Sequence, residues 1–397
     1  MAVIKRVRLS EIAELVTKGT TPTTLGYEFQ DTGVNFLKIE CFSEKGDYIQ
    51  NKATHISEEC HEKLKRSQLK EGDILFSIAG VIGRVAIVTR NMLPANINQA
   101  LAIIRIKKDD IYLPYVKLIL TSPLIKKQFE RKKQGVAQLN ISLKDINDLE
   151  IPLPEIGKQI EYANSFKKVE KLIYTRQYQL QKLDELVKAR FVEMFGDPEF
   201  NTFGWDTEEL GTLCDVGSSK RIYQNEQSQE GIPFWRISDL ISKMDIGVAD
   251  SGLFIPEERY VELKNAGLVP TTGDILVTSR GTLGRCYIIK DEDKFYFQDG
   301  MISWLSSYVD GITPLYLQYL FTMPGFRKQI DGMQAGSTVA YLSIAMLKKL
   351  RVMVPPIETQ NCFALFVEQL DKSKVAVQKS LDEAQLLFDS LMQQYFG

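Results

Sequence analysis

The segment Gly72-Asp73-Ile74-Leu75 occurs twice in this chain, the second time as Gly273-Asp274-Ile275-Leu276. The two copies are 201 residues apart, and the same spacing persists far downstream. It pairs identical residues at Gly80 and Gly281, Gly83 and Gly284, Arg84 and Arg285, Tyr115 and Tyr316, Gln159 and Gln360, and finally Phe195-Gly196 and Phe396-Gly397. A repeat of this length predicts that the chain folds as two copies of one unit.

Each copy begins with a region in which short apolar runs alternate with glycine turns. Runs such as 73–78 and 100–105 are typical of buried strands, and 115–129 suits two short helices separated at Ser122-Pro123. The region ends at the proline-containing stretches 151–154 and 352–356, where a helix cannot continue backwards. We therefore predict an α/β fold, in the sense of mixed α+β, with two tandem globular domains.

The second part of each copy carries a heptad-like apolar pattern, which predicts a long amphipathic helix. Residues 159–195 contain neither glycine nor proline. We expect the two helices to pack on each other as an antiparallel coiled coil; the alternative is that each stripe lies on its own domain. The predicted domains are 1–155, the central helix 156–197, 198–356 and the C-terminal helix 357–397. The predicted seam consists of Phe166, Val169, Ile173, Leu180, Leu183, Val187, Val367, Leu370, Val377, Leu381 and Phe388.

Composition excludes several classes of protein. Hydrophobic residues make up 44% of the 397 residues and charged residues 25%, which is ordinary for a globular protein and excludes disorder. The 49 Lys and Arg nearly balance the 51 Asp and Glu, which counts against an indiscriminate nucleic-acid coat. No apolar run is long enough for a signal peptide or a membrane span, so we predict a cytoplasmic protein. Five scattered cysteines and two histidines predict no metal site.

Taken together, these features resemble the specificity subunits of type I restriction-modification systems. The resemblance rests on the duplicated halves, the Gly-Asp-Ile-Leu segments followed by Gly-x-x-Gly-Arg, the 151–154 exit into a long helix, and the junction from Phe195-Gly-Asp-Pro198 to Gly204-Trp205. It implies two target recognition domains, each reading one half of a split site in double-stranded DNA. It also implies a chain without catalytic activity or cofactor, which docks two modification subunits and the motor-nuclease subunits. S-adenosylmethionine is then expected on the modification subunits.

The residues themselves agree with a chain that lacks catalytic motifs. We find no Gly-x-x-x-x-Gly-Lys-Ser/Thr loop and no His-Glu-x-x-His pair. Two rival functions remain open: a scaffold of two protein-binding modules, which the near-neutral charge favours, and a nuclease with a split site. The scaffold predicts no salt-dependent DNA binding, and the nuclease predicts dependence on divalent metal.

Predicted DNA contacts fall into positions that the two halves share and positions that differ. Shared residues suit positioning on phosphates, whereas differing residues suit base reading, because one residue cannot encode two half-sites. Their alternatives are a helix cap at Lys18, a hairpin with a structural arginine at Arg84 and Arg285, and solvated side chains elsewhere. The predicted set is Lys18, Gly19, Thr20, Thr21, Ser77, Arg84, Lys127, Arg131, Lys132, Gln138, Asn140, Lys220, Arg221, Ser279, Arg280, Arg285, Lys328, Ser337, Thr338 and Tyr341.

Overall fold

The computed structural model describes residues 5–107, 110–131, 140–333 and 340–396. Its contacts divide the chain into two units, Met1–Gln177 with Lys379–Gly397, and Tyr178–Gln378. We call them unit 1 and unit 2. No helix in the described ranges combines the length and the apolar composition that crossing a membrane requires.

Unit 1 contains three sheets and a set of short helices. Its strands are β1 Arg6–Arg8, β2 Ala13–Lys18, β3 Val34–Leu37, β4 Thr54–Ile56, β5 Ile74–Ser77, β6 Val85–Ile87, β7 Ala95–Ile97, β8 Leu101–Ile106 and β9 Glu150–Pro152. Its helices are α1 Leu9–Ile12, α2 Glu58–Lys63, α3 Leu113–Leu120, α4 Pro123–Glu130, α5 Leu143–Asn147 and the first part of α6, Ile156–Phe195. The strand orders are β2-β8-β5-β6, β4-β3-β7 and β1-β9.

Unit 2 repeats this arrangement and adds one helix, α8, after the strand that corresponds to β3. Its strands are β10 Thr207–Glu209, β11 Asp215–Gly217, β12 Ile232–Trp235, β13 Phe254–Ile255, β14 Ile275–Thr278, β15 Cys286–Ile288, β16 Tyr296–Phe297, β17 Ile302–Ser306 and β18 Arg351–Met353. Its helices are α7 Leu210–Leu213, α8 Ile237–Ile246, α9 Glu257–Asn265, α10 Pro314–Leu320, α11 Pro324–Gly332, α12 Ile344–Lys348 and the first part of α13, Ile357–Phe396. The strand orders, β11-β17-β14-β15, β13-β12-β16 and β10-β18, correspond to those of unit 1.

The four-stranded sheet of each unit is covered on both faces, which explains why its central strands are continuous apolar runs. In β5, Ile74 and Phe76 belong to one buried cluster and Leu75 to another. In β14, Ile275 and Leu276 divide in the same way. A strand that is buried on both sides has no solvated face on which polar residues would alternate.

The aspartate of the repeated Gly-Asp-Ile-Leu segment holds the turn before the strand. Asp73 Oδ2 accepts a hydrogen bond of 2.7 Å from the backbone N–H of Lys70, and Asp274 Oδ2 accepts one of 2.8 Å from Thr271. Each carboxylate also has a side-chain donor, Arg105 in unit 1 and the indole of Trp304 in unit 2. The motif is therefore repeated because it builds the same strand entry twice.

A buried glutamine joins the start of each long helix to the globular part. Gln159 Nε2 donates to the carbonyls of Pro154 and Asp110 at 2.8 and 3.4 Å, and its Oε1 accepts from Tyr112 N at 2.9 Å. Gln360 makes the equivalent bonds to Pro355 O, Gly311 O and Thr313 N at 2.9, 2.8 and 2.9 Å. The spacing of 201 residues is thus reproduced in individual hydrogen bonds.

Helices α6 and α13 pack on each other antiparallel, within each unit. In unit 1 the first half of α6 meets the last part of α13, where the ring of Phe166 lies 5.4 Å from that of Phe388. In unit 2 the last part of α6 meets the first part of α13, and Phe191 lies 5.5 Å from Phe363. The predicted mixed fold with a coiled-coil pair is confirmed.

The residues of the predicted seam are all buried or half-buried, and none is exposed. Lys374, which interrupts the apolar pattern, forms an ion pair of 2.8 Å with Asp184. The heptad pattern did not identify Phe191 and Phe363, although both are fully buried. They belong to an aromatic cluster with Phe195 and Tyr316 of unit 2, because here the helix packs on its domain as well as on its partner helix.

Candidate nucleic-acid interface

The Gly-x-x-Gly-Arg segments are tight turns joining β5 to β6 and β14 to β15. Gly80 and Gly281 both have φ of 70°, a conformation that favours glycine. Ser77 Oγ donates to Val81 O at 2.6 Å and accepts from Arg84 N at 2.7 Å. In unit 2 Thr278 Oγ1 binds Thr282 O and accepts from Arg285 N in the same way. A hydroxyl thus holds each turn from inside.

Two predicted base readers lie inside these domains. Ser77 is fully buried, and its hydroxyl is used within the turn. Ser279 is 2% exposed, and its hydroxyl lies 2.7 Å from that of Ser303. Because both hydroxyls already have partners in the protein, these positions favour a structural role over the predicted contact with DNA.

The two shared arginines anchor the turns to the segment that follows β3 or β12. Arg84 donates to the carbonyls of Phe42 and Ile39 at 2.8 and 3.2 Å. Arg285 instead pairs with Asp245 of α8 at 2.5 Å, and its hydrogen bond lowers the pKa of that carboxyl. These contacts support the alternative of a structural arginine at both positions.

The loop after β2 packs against the loop between β7 and β8. Gly19 N donates to Leu101 O at 3.4 Å, and a Cβ on Gly19 would overlap the carbonyl oxygens of Ile97 and Asn98. Only glycine therefore fits at this position of unit 1. Thr21 Oγ1 is hydrogen-bonded to the side chain of Gln99, while Lys18 and Thr20 are exposed.

Unit 2 builds the same crossing with different side chains. Ser219 Oγ donates to Phe297 O at 2.6 Å, and Lys220 N donates to the hydroxyl of Tyr296 at 2.8 Å. Arg221 pairs with Asp299 at 2.8 Å. Val16 pairs with Ile104, and Val216 pairs with Leu305, the counterpart of Ile104 in the repeat. Val16 and Val216 are therefore counterparts with a spacing of 200 residues, and the same spacing makes Arg221 the counterpart of Thr21. A neutral pair in unit 1 is thus an ion pair in unit 2.

A third segment joins this cluster just before α5 and α12. Ile141 N donates to Ile78 O at 3.0 Å, and Leu342 N donates to Ser279 O at 3.0 Å. In unit 2 the guanidinium of Arg280 lies 5.1 Å from the ring centre of Tyr341. Asn140 is exposed at the matching place in unit 1. Four predicted contacts, Lys132, Gln138, Ser337 and Thr338, lie outside the described residues.

In unit 2 these loops surround a cleft of about 360 Å³. Its walls carry both positive and negative groups together with amide side chains, which can donate and accept hydrogen bonds. It is lined by Arg221, Ile222, Gln227, Phe234, Arg280, Gln298, Asp299, Gly300 and Met301. The structure thus brings Arg221 and Arg280, two predicted contacts from distant parts of the sequence, to one site.

Sequence reasoning missed two partners, Gln99 of Thr21 and Asp299 of Arg221, and two further lining residues of the unit 2 cleft, Gln227 and Gln298. One signal was available. Ile97 and Phe297 are counterparts, because they pair with the equivalent residues Leu37 and Trp235. Leu101 and Ile302 are counterparts, because they pair with Ser77 and Thr278. The spacing between copies therefore changes from 200 to 201 residues within this loop, which marks a place where the halves diverge in length and in sequence.

Three further predicted contacts lie elsewhere. Lys127 of α4 and Arg131, directly after that helix, line a separate cleft together with residues of β1, β9 and α5. This cleft shares no residue with the loop cluster of unit 1. In unit 2 the corresponding Lys328 pairs with Glu199 at 2.6 Å. Within the described residues, no group of three or more His, Cys, Asp or Glu side chains could hold a metal ion.

Comparison with known proteins identifies relatives over parts of the chain. A putative type I restriction enzyme specificity subunit of Haemophilus influenzae is 29% identical over 164 residues, which is 41% of this chain and 39% of that protein. The EcoBI specificity subunit of Escherichia coli is 32% identical over 142 residues, 35% of this chain and 28% of that protein. The chain thus matches well under two thirds of the length of these two relatives.

Longer matches have lower identity. A putative MjaX specificity subunit of Methanocaldococcus jannaschii is 23% identical over 384 residues, 91% of this chain and 85% of that protein. The type I S subunit of M. genitalium has a similar fold, with a TM-score of 0.54 at 16% identity over 99% of this chain and 96% of that one. A chain from a structural study of complex assembly in a type I restriction-modification system gives a TM-score of 0.62 at 17% identity, covering 99% and 97%.

The family model of the type I restriction modification DNA specificity domain matches the chain twice, at residues 3–185 and 203–384. These two matches cover most of the sequence and follow its internal repeat. The chain therefore belongs to the family of type I restriction-modification DNA specificity domains.

Proposed function

We propose that this chain is the DNA-recognition subunit of a type I restriction-modification complex and reads a two-part target, one half-site with each unit. The observation that carries the proposal is the pair of equivalent loop clusters. Their frame is the same, down to the hydroxyl-held turns, while the side chains on it differ. A common frame positions two readers alike, and divergent side chains give them different sequences to read.

The divergent side chains suit base reading. In unit 2 Arg280 and Arg221 can donate paired hydrogen bonds to guanine in the major groove, and Gln298 can pair with adenine. Arg221 is held at 2.8 Å by Asp299, which limits the conformations of its side chain before DNA arrives. In unit 1 Thr21, Gln99 and Asn140 give a neutral surface at the corresponding places.

The long helices serve, in this proposal, as the spacer between the half-sites and as the docking surface for partner subunits. Their outer faces carry large exposed apolar side chains, which suit burial against another protein. These include Leu172, Leu186 and Val192 on α6 and Leu365, Val375, Leu386 and Leu387 on α13. The expected partners are two modification subunits, which would bind S-adenosylmethionine and methylate adenine, and the motor-nuclease subunits; the chain itself would not be catalytic.

The test is co-expression of this chain with the modification subunit encoded beside it, followed by mapping of methylated adenines by single-molecule sequencing. We expect a two-part motif with a fixed gap. Exchanging residues 1–155 for those of another specificity subunit should then change one part only. A stable complex with an active modification subunit that methylates no chain-dependent motif would contradict the proposal and favour the scaffold alternative.

A further inference from the structure

Unit 1 contains a positively charged depression, which the proposed DNA reading does not use. It has a volume of about 710 Å³ and is lined by five basic and two acidic side chains. We call it the basic cleft; its lining residues are Arg6, Arg8, Leu124, Lys127, Gln128, Arg131, Lys144, Asp148 and Glu150. None of its five basic residues forms an ion pair with a residue in the described ranges.

The basic residues are carried on regular elements. Arg6 and Arg8 flank the buried Val7 on β1, so both point to the open side of the β1-β9 ladder. Helix α4 is tied to β9 by two hydrogen bonds, from Gln128 Nε2 to Glu150 O at 2.8 Å and from Glu150 N to Gln128 Oε1 at 3.0 Å. The cations are therefore held close together although they repel one another.

Unit 2 shows what occupies the equivalent place there. Gln329 binds the backbone of Arg351 as Gln128 binds that of Glu150, at 3.1 and 2.9 Å. On the same face of α11, both carboxylate oxygens of Glu199 lie 2.6 Å from Lys328 Nζ. Glu199 also crosses close to Gly325, where an added Cβ would lie 2.5 Å from the Glu199 nitrogen. A peptide segment with a carboxylate thus covers this place in unit 2.

The corresponding positions of unit 1 are more basic, and they leave no room for a segment that follows the path of Glu199. Lys127 corresponds to Lys328, but Leu124 replaces Gly325 and would collide with a segment that followed the course of Glu199. Arg6, Arg8, Arg131 and Lys144 stand where unit 2 has Thr207, Glu209, Gly332 and Ala345. The basic cleft therefore suits an acidic occupant that lies further out and touches the leucine side chain.

We propose that the basic cleft binds an acidic segment of the modification subunit, with carboxylates on Lys127 and the arginines around it. This inference rests on the proposed function for the identity of the partner. A peptide fits better than a DNA backbone for two reasons. DNA carries a phosphate at every backbone unit, which Asp148 and Glu150 would repel, whereas a peptide can place its carboxylates on the basic residues and donate its N–H groups to Asp148 and Glu150. Leu124 also offers an apolar contact that a phosphate chain does not use.

Carbodiimide coupling tests the contact directly, because it joins an amine only to a carboxylate that touches it. The complex of the full chain with the modification subunit is treated with carbodiimide, and the linked peptides are identified by mass spectrometry. We expect Lys127 or Lys144 to be joined to an Asp or Glu of the modification subunit. The Lys127→Arg/Lys144→Arg variant keeps the charge but cannot couple, so it should assemble normally and lose these links.

Charge reversal tests the energetic role. We expect Lys127→Glu/Arg131→Glu to weaken binding of the modification subunit at least tenfold at low salt and to reduce the salt dependence of that binding. Lys65→Glu/Arg66→Glu changes the net charge of unit 1 equally outside the cleft and should leave binding within twofold. Thermal unfolding of both variants within a few degrees of the unaltered chain verifies that they fold.

The opposite results are distinct. Unchanged assembly of the Lys127→Glu/Arg131→Glu variant, together with absence of the coupled peptides, would overturn the inference while leaving the proposed function intact. Normal assembly with weakened DNA binding by the assembled complex would assign the cleft to the DNA backbone instead. If the unaltered chain neither binds the modification subunit nor directs methylation, the proposed function itself fails, and this partner fails with it.

Discussion

At the scale of single residues, each half contains two kinds of polar side chain. Some hold the loops in place through hydrogen bonds within the protein, and others are available to a ligand. Thr278 and Ser77 hold their turns from inside, and Arg84 and Arg285 tie those turns to neighbouring segments. Arg280 has a different environment: it is exposed and lies over the ring of Tyr341, at the rim of the unit 2 cleft. We therefore expect residues of the second kind to read the sequence, as the proposed function requires.

Arg280 provides the sharpest residue-scale prediction. Arg280→Ala should reduce discrimination at one base pair of a single half-site by about 1–3 kcal/mol, since a paired arginine contact is lost. Methylation rates on duplexes substituted at each position would measure it. Lys290→Ala removes the same charge from an exposed position in unit 2 and should leave the preference unchanged. An equal loss of methylation rate on all duplexes would show instead that Arg280 contacts only the DNA backbone.

The buried glutamines yield a paired prediction on stability. Gln159→Ala and Gln360→Ala should each lower the free energy of unfolding by about 3 kcal/mol, because each leaves buried backbone N–H and C=O groups unpaired. Thermal unfolding would detect this as a loss of several degrees. Gln385→Ala, at an exposed position of α13, should cost less than about 0.5 kcal/mol. A large effect at only one of the two buried glutamines would contradict their equivalence.

At the scale of elements, each long helix packs against two surfaces, the other long helix and the globular part of a unit. The heptad positions of α6 face α13, but Phe191 and Phe195 also pack on Tyr316 of the globular part. Unit 1 repeats this contact: the ring of Phe396 on α13, the counterpart of Phe195, lies 6.1 Å from that of Tyr115, the counterpart of Tyr316. The ends of the helices are therefore parts of the domain cores, and only their middle parts rely on the helical pair alone.

Phe191→Ala should show this coupling. Its ring is fully buried among three other aromatic rings, so truncation should lower the free energy of unfolding of unit 2 by about 3–5 kcal/mol. Denaturant unfolding monitored by circular dichroism would measure the change. Val192→Ala, on the next residue and 44% exposed, is the matched control with an expected change below about 0.5 kcal/mol. Similar losses in both variants would mean that helix propensity, rather than core packing, is being measured.

At the scale of the whole molecule, the proposed function gives each unit one half-site to read and makes the long helices the spacer between them. If the helices set the gap, one heptad inserted after Gln177 and another after Gln378 should preserve the seam. The insertion lengthens the pair by about 10 Å, the rise of about three base pairs of DNA. We expect both half-sites to be retained and the gap to grow by about three base pairs. Methylome sequencing would measure the gap, and an unchanged gap would refute the spacer role.

The fold was predictable from the sequence because its signals are local or repeated. The spacing of 201 residues between Gly72 and Gly273 defined the two copies, and the heptad pattern from Phe166 to Val187 defined a long helix. The break at Ser122-Pro123 separates α3 from α4 as expected. Each of these signals depends on residues that are near each other in the chain, or on identity between copies, and neither requires knowledge of three-dimensional contacts.

The site was only partly predictable, because its chemistry depends on contacts between distant residues. Sequence alone predicted Arg221 and Arg280 as contacts, but only the tertiary structure brought them to one cleft and supplied Asp299 as a partner of Arg221. It also placed Ser77 inside its turn, and it gathered Arg6, Lys127 and Lys144 into the basic cleft. The sequence therefore determined the duplicated architecture, whereas folding decided which polar side chains are used inside the protein and which remain available to a ligand, since hydrogen bonds and ion pairs form through space.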